Sequence, residues 1–205
     1  MRVVIFLFSL IWINTLAGQN LKQAEEFVRE GNFSLAKEIY EQELARQVNT
    51  CSDSSLYIVK NLVATLLSAG EVDKALVLSL SYVECEKERV LPLFNALGVL
   101  YNIKNNADSA IFFYNKALRV KDPGVKASIH NNLGLLYASK RKVDSSLHYY
   151  SFALDYYKSR SQRAEVISIY NSMGLVYSFS GEKDKALFCY EKSCLSNKTP
   201  QGYLN

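Results

Sequence analysis

Leu133-Gly134-Leu135-Leu136-Tyr137 is the middle one of three near-copies of a single phrase. Leu97-Gly98-Val99-Leu100-Tyr101 precedes it by 36 residues, and Met173-Gly174-Leu175-Val176-Tyr177 follows it by 40. Twelve residues after each glycine stands Ala110, Ser146 or Ala186, and four further on stands Tyr114, Tyr150 or Tyr190. Self-similarity at a period of about 20–50 residues marks a solenoid and outranks any local reading. The spacing also has a packing logic. A glycine followed by tyrosine three residues on, within one helix, allows close approach beside a large ring. A small residue and a tyrosine four apart share one face of a second helix and present the complementary shape. Each unit therefore reads as two antiparallel helices.

This column of leucine, glycine, aromatic, alanine and aromatic resembles the tetratricopeptide repeat, a two-helix module of about 34 residues. The resemblance covers 91–120, 127–157 and 167–194, and extends back to 56–88 (Gly70, Ala75) and 20–48 (Gly31, Ala36, Tyr40). In those first two units Ala24 and Val63 replace the close-packing glycine, and Ser79 stands where Tyr114 stands later. The resemblance implies an all-α, right-handed superhelical solenoid of about five helix pairs, filling residues 19–205 after a leader at 1–18.

Ser34, Asp73, Asp108, Asp144 and Asp184 each stand two positions before the small residue. They are read as start signals whose oxygens accept from the orphan amides of the second helix. Gly31, Gly70, Asn105-Asn106, Arg141-Lys142 and Gly181 are the turns within units. Longer connections at Gln47–Ser54, Val120–Val125 and Lys158–Arg163 are expected to absorb the drift in period. Pro92 fits the first turn of a helix, where its missing amide costs nothing. No segment alternates long enough to argue a strand.

A chain that is 49% hydrophobic and 21% charged is a globular one, not a disordered one. The net charge of +4 is mild. The one compact basic run, Lys140-Arg141-Lys142, falls in a turn and reads as solvated, and nothing asks for nucleic acid.

Met1 and Arg2 lead into the apolar run Val3 to Ile13 and then the small-residue end Leu16-Ala17-Gly18. That is the pattern of a secretory signal peptide, cut near Ala17 or Gly18. The run is too short to span a bilayer, which takes about twenty apolar residues. Gln19 stands where a lipid-anchored protein would need cysteine. The expectation is a soluble exported protein, periplasmic or extracellular, with no stable membrane insertion. In that setting cysteines pair. Cys51 and Cys85 fall at helix ends of adjacent units, within geometric reach of a disulfide. Cys189 and Cys194 lie five apart, on different faces, and Cys194 is read as a small core residue. No cysteine pair has zinc-ligand spacing, so no metal or other cofactor is expected.

Chemistry is hard to find. His130 occupies the packing place of Phe94 and Tyr170, and His148 reads as a helix-surface residue. No nucleophile elbow, phosphate loop or zinc-binding helix occurs. The chain is read as a non-enzyme.

What remains is the inner surface, lined by the first helix of each unit. Its free face should carry Asn95, Val99 and Asn102; Asn131, Leu135 and Ala138; and Asn171, Leu175 and Ser178. Asn132 stands beside the second trio. An amide donates and accepts, so an asparagine ladder can pair with the backbone of a bound peptide whatever its sequence. The other reading is that these amides bond between neighbouring helices. Lys60 is the lone basic residue on this face, and Val99, Leu135 and Leu175 make it apolar, unlike the family members that grip a terminal carboxylate. The expected function is a scaffold binding a protein or peptide on the concave face. A sensory module of a bacterial sensor kinase or regulator is the second reading. Residues 196–205 contain Pro200 and Gly202 and form no solvating helix. The face of Met173, Tyr177 and Leu187 is therefore expected to be partly uncovered, inviting self-association.

Overall fold

The computed structural model describes residues 17–48, 51–85 and 90–198. Ten helices run through them: α1 (17–29), α2 (Phe33–Ala45), α3 (Asp53–Ser68), α4 (Val72–Ser81), α5 (Leu91–Ile103), α6 (Ala107–Ala117), α7 (Pro123–Ser139), α8 (Val143–Ser159), α9 (Arg163–Phe179) and α10 (Lys183–Lys198). No strand occurs among the described residues. The chain is all-α. Of the expected leader only Ala17 and Gly18 fall within the described residues, where they open α1. The helices divide into two compact units that meet inside α5, between Leu100 and Tyr101. In the first, α3 packs against α2 and α4; in the second, α9 packs against α8 and α10, and α7 against α8 and more lightly α6 and α9.

One turn is used six times. Gly31, Gly70, Asn105, Arg141, Ser161 and Gly181 all lie in the left-handed region, with φ between 53° and 86°. The next residue in each case sends its amide back to the carbonyl five residues earlier: Asn32 to Phe27, Glu71 to Leu66, Asn106 to Tyr101, Lys142 to Tyr137, Gln162 to Tyr157 and Glu182 to Tyr177. This double-bonded stop satisfies carbonyls that a helix end leaves orphaned. It also reverses the chain in so few residues that the next helix must run antiparallel beside the last. Glycine takes the conformation freely; Asn105, Arg141 and Ser161 take it at the steric cost of a Cβ.

Two expectations are corrected here. On α2 and α6 the side-chain cap stands two residues before the expected start signal: Asn32 accepts from the Leu35 amide and Asn106 from the Ser109 amide, at 3.4 and 3.1 Å, while Glu71 and Lys142 make no side-chain cap bond at that place on α4 and α8. Asp73, Asp108, Asp144 and Asp184 sit inside the first turn, where they meet the positive end of the helix field. Likewise Lys158–Arg163 is no long connection, because Ser161 makes the same tight stop. The longer period is taken up by longer helices: α8 and α9 have 17 residues each where α6 has 11. Val120–Val125 does hold an irregular link, closed by Asp122, whose carboxylate accepts from the Val125 amide at 2.9 Å with Pro123 in the first turn.

The glycine–tyrosine columns meet face to face. A Cβ built on Gly134 would stand 2.6 Å from the Tyr150 ring, and one on Gly174 the same distance from Tyr190. The neighbour that fills the glycine's space is thus the ring of the partner helix. Tyr150 is wholly buried, and the Ser146 hydroxyl donates to the Gly134 carbonyl at 2.9 Å, stitching α8 to α7. In the first unit the sizes are exchanged: Val63 holds the glycine place and Ser79 the tyrosine place, both fully buried. The Ser79 hydroxyl, short of a partner across the interface, turns back to the Ala75 carbonyl at 2.7 Å. Near-constant interior density requires this kind of exchange.

Two further contacts lock the first unit. Cys51 and Cys85 form a disulfide that closes a 34-residue separation around α3 and α4. Glu71, just after the Gly70 stop between α3 and α4, bridges Lys37 of α2 and Lys74 of α4, each at 2.5 Å. Those two ammonium partners hold the Glu71 carboxyl below its usual range. Glu43 is buried with its carboxylate between the Asn20 amide at 2.7 Å and the Arg46 guanidinium at 2.5 Å, so its charge is paired where water is excluded.

Candidate functional site

The outward faces of α7 and α9 hold the expected site residues Asn131, Asn132, Leu135, Asn171 and Leu175 of the second unit. Each face exists because the buried stripe of its helix (Ile129, Leu133 and Leu136 on α7; Val166, Ile169 and Val176 on α9) leaves the residues between them turned away from the core. On α7, Asn131, Asn132 and Ala138 are half-buried and Leu135 is 45% exposed. On α9, Asn171 and Ser178 are exposed and Leu175 is 60% exposed. α7 touches α9 within this unit, and Leu135 and Leu175 hold matching places on the two helices.

The asparagines divide. Asn95 on α5 and Asn132 on α7 each make a polar interaction within the protein. The side chains of Asn131 and Asn171 make no hydrogen bond among the described residues, so their donors and acceptors face outward. Asn95 and Val99 lie half-buried in the first unit and Asn102 half-buried in the second.

Lys60 is exposed on α3 of the first unit, with its ammonium 5.3 Å from the Tyr57 ring centroid. The two residues edge a hollow of ≈ 220 Å³ lined also by Leu56, Pro92 and Leu93 and by the Asp53 carboxylate. Tyr57 was not legible as a site residue in the sequence. Its hydroxyl donates to the Glu25 carboxylate, and that bond above all raises its pKa. A further regularity also needed the structure. Two exposed aromatic rings on second helices are covered by a lysine four residues on, Lys116 over Phe112 at 4.5 Å and Lys192 over Phe188 at 5.4 Å, and the Phe152 ring meets the His148 ring edge-on with centroids 4.8 Å apart.

His130 is half-buried between Tyr149 and Phe152, ring centroids 5.8 and 5.0 Å away. Its Nδ1 has no hydrogen-bond partner, and burial pushes its pKa down, helped by His148 and Lys126. It stands among rings with no carboxylate or nucleophile to work with, in the column where Phe94 and Tyr170 are buried. His148 is exposed. Cys194 is exposed too, which corrects the expectation of a core residue: α10 turns Cys189 inward instead, where burial raises its thiol pKa. Leu187 is 58% exposed while Met173 and Tyr177 pack half-buried on the core of the second unit. No cluster of potential metal ligands occurs among the described residues, and no helix there is long and apolar enough to cross a membrane.

Helix pairs joined by one repeated stop, with glycine set against tyrosine between α7 and α8 and between α9 and α10, are matched by family models. The tetratricopeptide repeat model matches residues 125–194, and a second model of the same repeat matches 91–122. The chain is a tetratricopeptide-repeat protein. No curated protein matches it in sequence. Among solved structures, this tetratricopeptide-repeat protein is similar to BtubC (BKLC) from P. vanneervenii, with a TM-score of 0.77 at 21% identity over 100% of this chain and 89% of that one. It is similar to a Podosopora anserina putative kinesin light chain of nearly identical TPR-like repeats, TM-score 0.69 at 16% identity, covering 90% and 96% of the two chains. MamA gives a TM-score of 0.64 at 19% identity, with 85% and 94% covered. Those identities speak for the fold alone. The family and fold are those of a protein-interaction scaffold.

Proposed function

We propose that this chain is an exported, non-catalytic scaffold that binds an extended or helical segment of a partner protein on the faces of its first helices. The carrying observation is the pair of stripes on α7 and α9, where Leu135 and Leu175 are exposed beside Asn131 and Asn171, whose amides make no hydrogen bond among the described residues. An apolar side chain of the partner covers the leucines, and its backbone takes the amides, which read any sequence alike. Lys60, Asn95, Asn102 and Asn132 belong to the same first-helix faces in the repeats that carry them, and Lys60 shares its hollow with the Asp53 carboxylate. Export is supported by the leader pattern at residues 1–18 and by the Cys51–Cys85 disulfide, a bond that persists in oxidising compartments.

The test is a pull-down with the mature chain, followed by titration of the recovered partner against Asn131→Ala/Asn171→Ala. Affinity should fall about tenfold or more while thermal stability stays within about 1 kcal/mol. Unchanged affinity with a large stability loss would show that the amides serve the fold. Amino-terminal sequencing of the exported product should begin near Gly18 or Gln19; intact Met1 on a cytoplasmic product would end the export reading.

A further inference from the structure

The stop that closes α7 forms one wall of a cleft of ≈ 660 Å³ in the second unit, lined by none of the residues expected on the first-helix faces. Lys140 and Lys142 stand on this wall beside the Tyr137 ring; Asn105 and Asp108, from the preceding stop and the first turn of α6, form the other, and Ile111 supplies an apolar surface between. The volume suits a few amino-acid residues of a ligand.

Two observations give the cleft a direction. The first is charge. Among the described residues neither Lys140, Lys142 nor Asp108 takes part in an ion pair, although all three line one space. An anion entering beside the lysines displaces no resident carboxylate. The second is the turn itself. Arg141 holds the left-handed conformation (φ 55°) that glycine takes in three of the sister turns, and its guanidinium lies 5.2 Å from the Phe179 ring centroid of α9. That stacking engages the middle cation of the basic run. The residues on either side are left lining the cleft, with the Lys142 ammonium 6.0 Å from the Tyr137 ring centroid.

Asp108 on the opposite wall repels a polyanion, which argues against nucleic acid and phosphate-rich ligands. A single carboxylate flanked by an apolar group fits these walls together. We propose that this cleft binds an acidic segment of a protein: a carboxylate at Lys140 and Lys142 and an apolar side chain over Ile111 and the Tyr137 ring, with Asp108 limiting how much negative charge the segment can carry. The site is separate from the first-helix faces and does not depend on their binding a partner.

The probe is a short acetylated and amidated peptide in which glutamates flank a phenylalanine, titrated into the isotope-labelled full chain and followed by amide chemical shifts. Shifts should concentrate at residues 105–111 and 137–142, and a glutamine counterpart should bind about tenfold more weakly. Lys140→Glu/Lys142→Glu should lower affinity about tenfold, and Asp108→Asn should raise it about threefold. Because Asp108→Asn leaves the strained turn untouched, it keeps the test decisive if the lysine variant folds poorly. Shifts elsewhere, equal binding of the glutamine peptide, or an Asp108→Asn affinity no tighter than wild type would overturn the proposal. So would inorganic phosphate reproducing the peptide's shifts, which would reduce the cleft to a bare anion site.

Discussion

Gly134 and Tyr150 offer a sharp test of how the repeats are held together. Gly134→Val places a Cβ 2.6 Å from two ring carbons of Tyr150 and 3.0 Å from a third, well inside contact distance. The ring has nowhere to go, since Tyr150 is fully buried and Ser146, one turn before it, is bonded to the Gly134 carbonyl. Overpacking of this kind costs about 1–3 kcal/mol, set against about 0.5 kcal/mol regained from helix propensity when glycine is replaced. Tyr150→Ser on its own removes the ring and leaves a cavity, at about 3–5 kcal/mol. The two together recreate the pair that α3 and α4 already use, Val63 against Ser79. The valine then grows into the space the ring vacates, and the double variant should be more stable than the sum of the singles by about 1–3 kcal/mol. Urea unfolding followed by circular dichroism measures all four corners of the cycle. Strict additivity would refute the reasoning, because it would mean that the two columns do not share one space.

Ser161 sits in the left-handed region at φ 53° on an exposed turn, so Ser161→Gly should stabilise by about 0.5–1 kcal/mol after the unfolded-state entropy of glycine is counted; a loss of melting temperature would show the turn is unstrained. Burial lowers the His130 pKa below its ordinary 6.5, so the unfolded chain binds the extra proton first and stability falls as pH drops through about 6.5. His130→Phe, the residue its column carries at Phe94, should flatten that acid limb between about pH 5 and 7 in melting experiments, and an unchanged slope would contradict it. Cys51→Ser/Cys85→Ser should cost about 4 kcal/mol in the first unit, the loop-closure entropy of a 34-residue separation, and non-reducing mass analysis of the wild type should show the bond; an undiminished denaturation midpoint would count against it.

The helices, their pairing and the stops within each pair were legible from residue spacing, because helical packing is local and repeats every few dozen residues; the stop at Ser161 between α8 and α9 was not. Where reading failed, the missing quantity was a direction in space. Asp108 and Asp144 look like caps by composition, yet the cap position falls to whichever residue leaves the preceding stop: Asn106, which caps α6, and Lys142, which leaves α8 without a side-chain cap. Cys194 looked buried by the count of residues around α10, and the rotation of that helix put Cys189 inside instead. The candidate face was half legible. The asparagine column could be counted, but not that Asn132 would be engaged within the protein while Asn131 stayed unbonded.

By itself the sequence determined an all-α repeat, the register of its columns and the family, since glycine at Gly98, Gly134 and Gly174 and tyrosine at Tyr114, Tyr150 and Tyr190 make sense only as facing partners. Tertiary structure alone decided what those columns leave over. The placing of Lys140 and Lys142 around one cleft follows from a single positive φ at Arg141 and a ring on the next repeat's first helix. No linear spacing encodes that, because a backbone dihedral and a contact 38 residues away jointly choose where the flanking side chains stand.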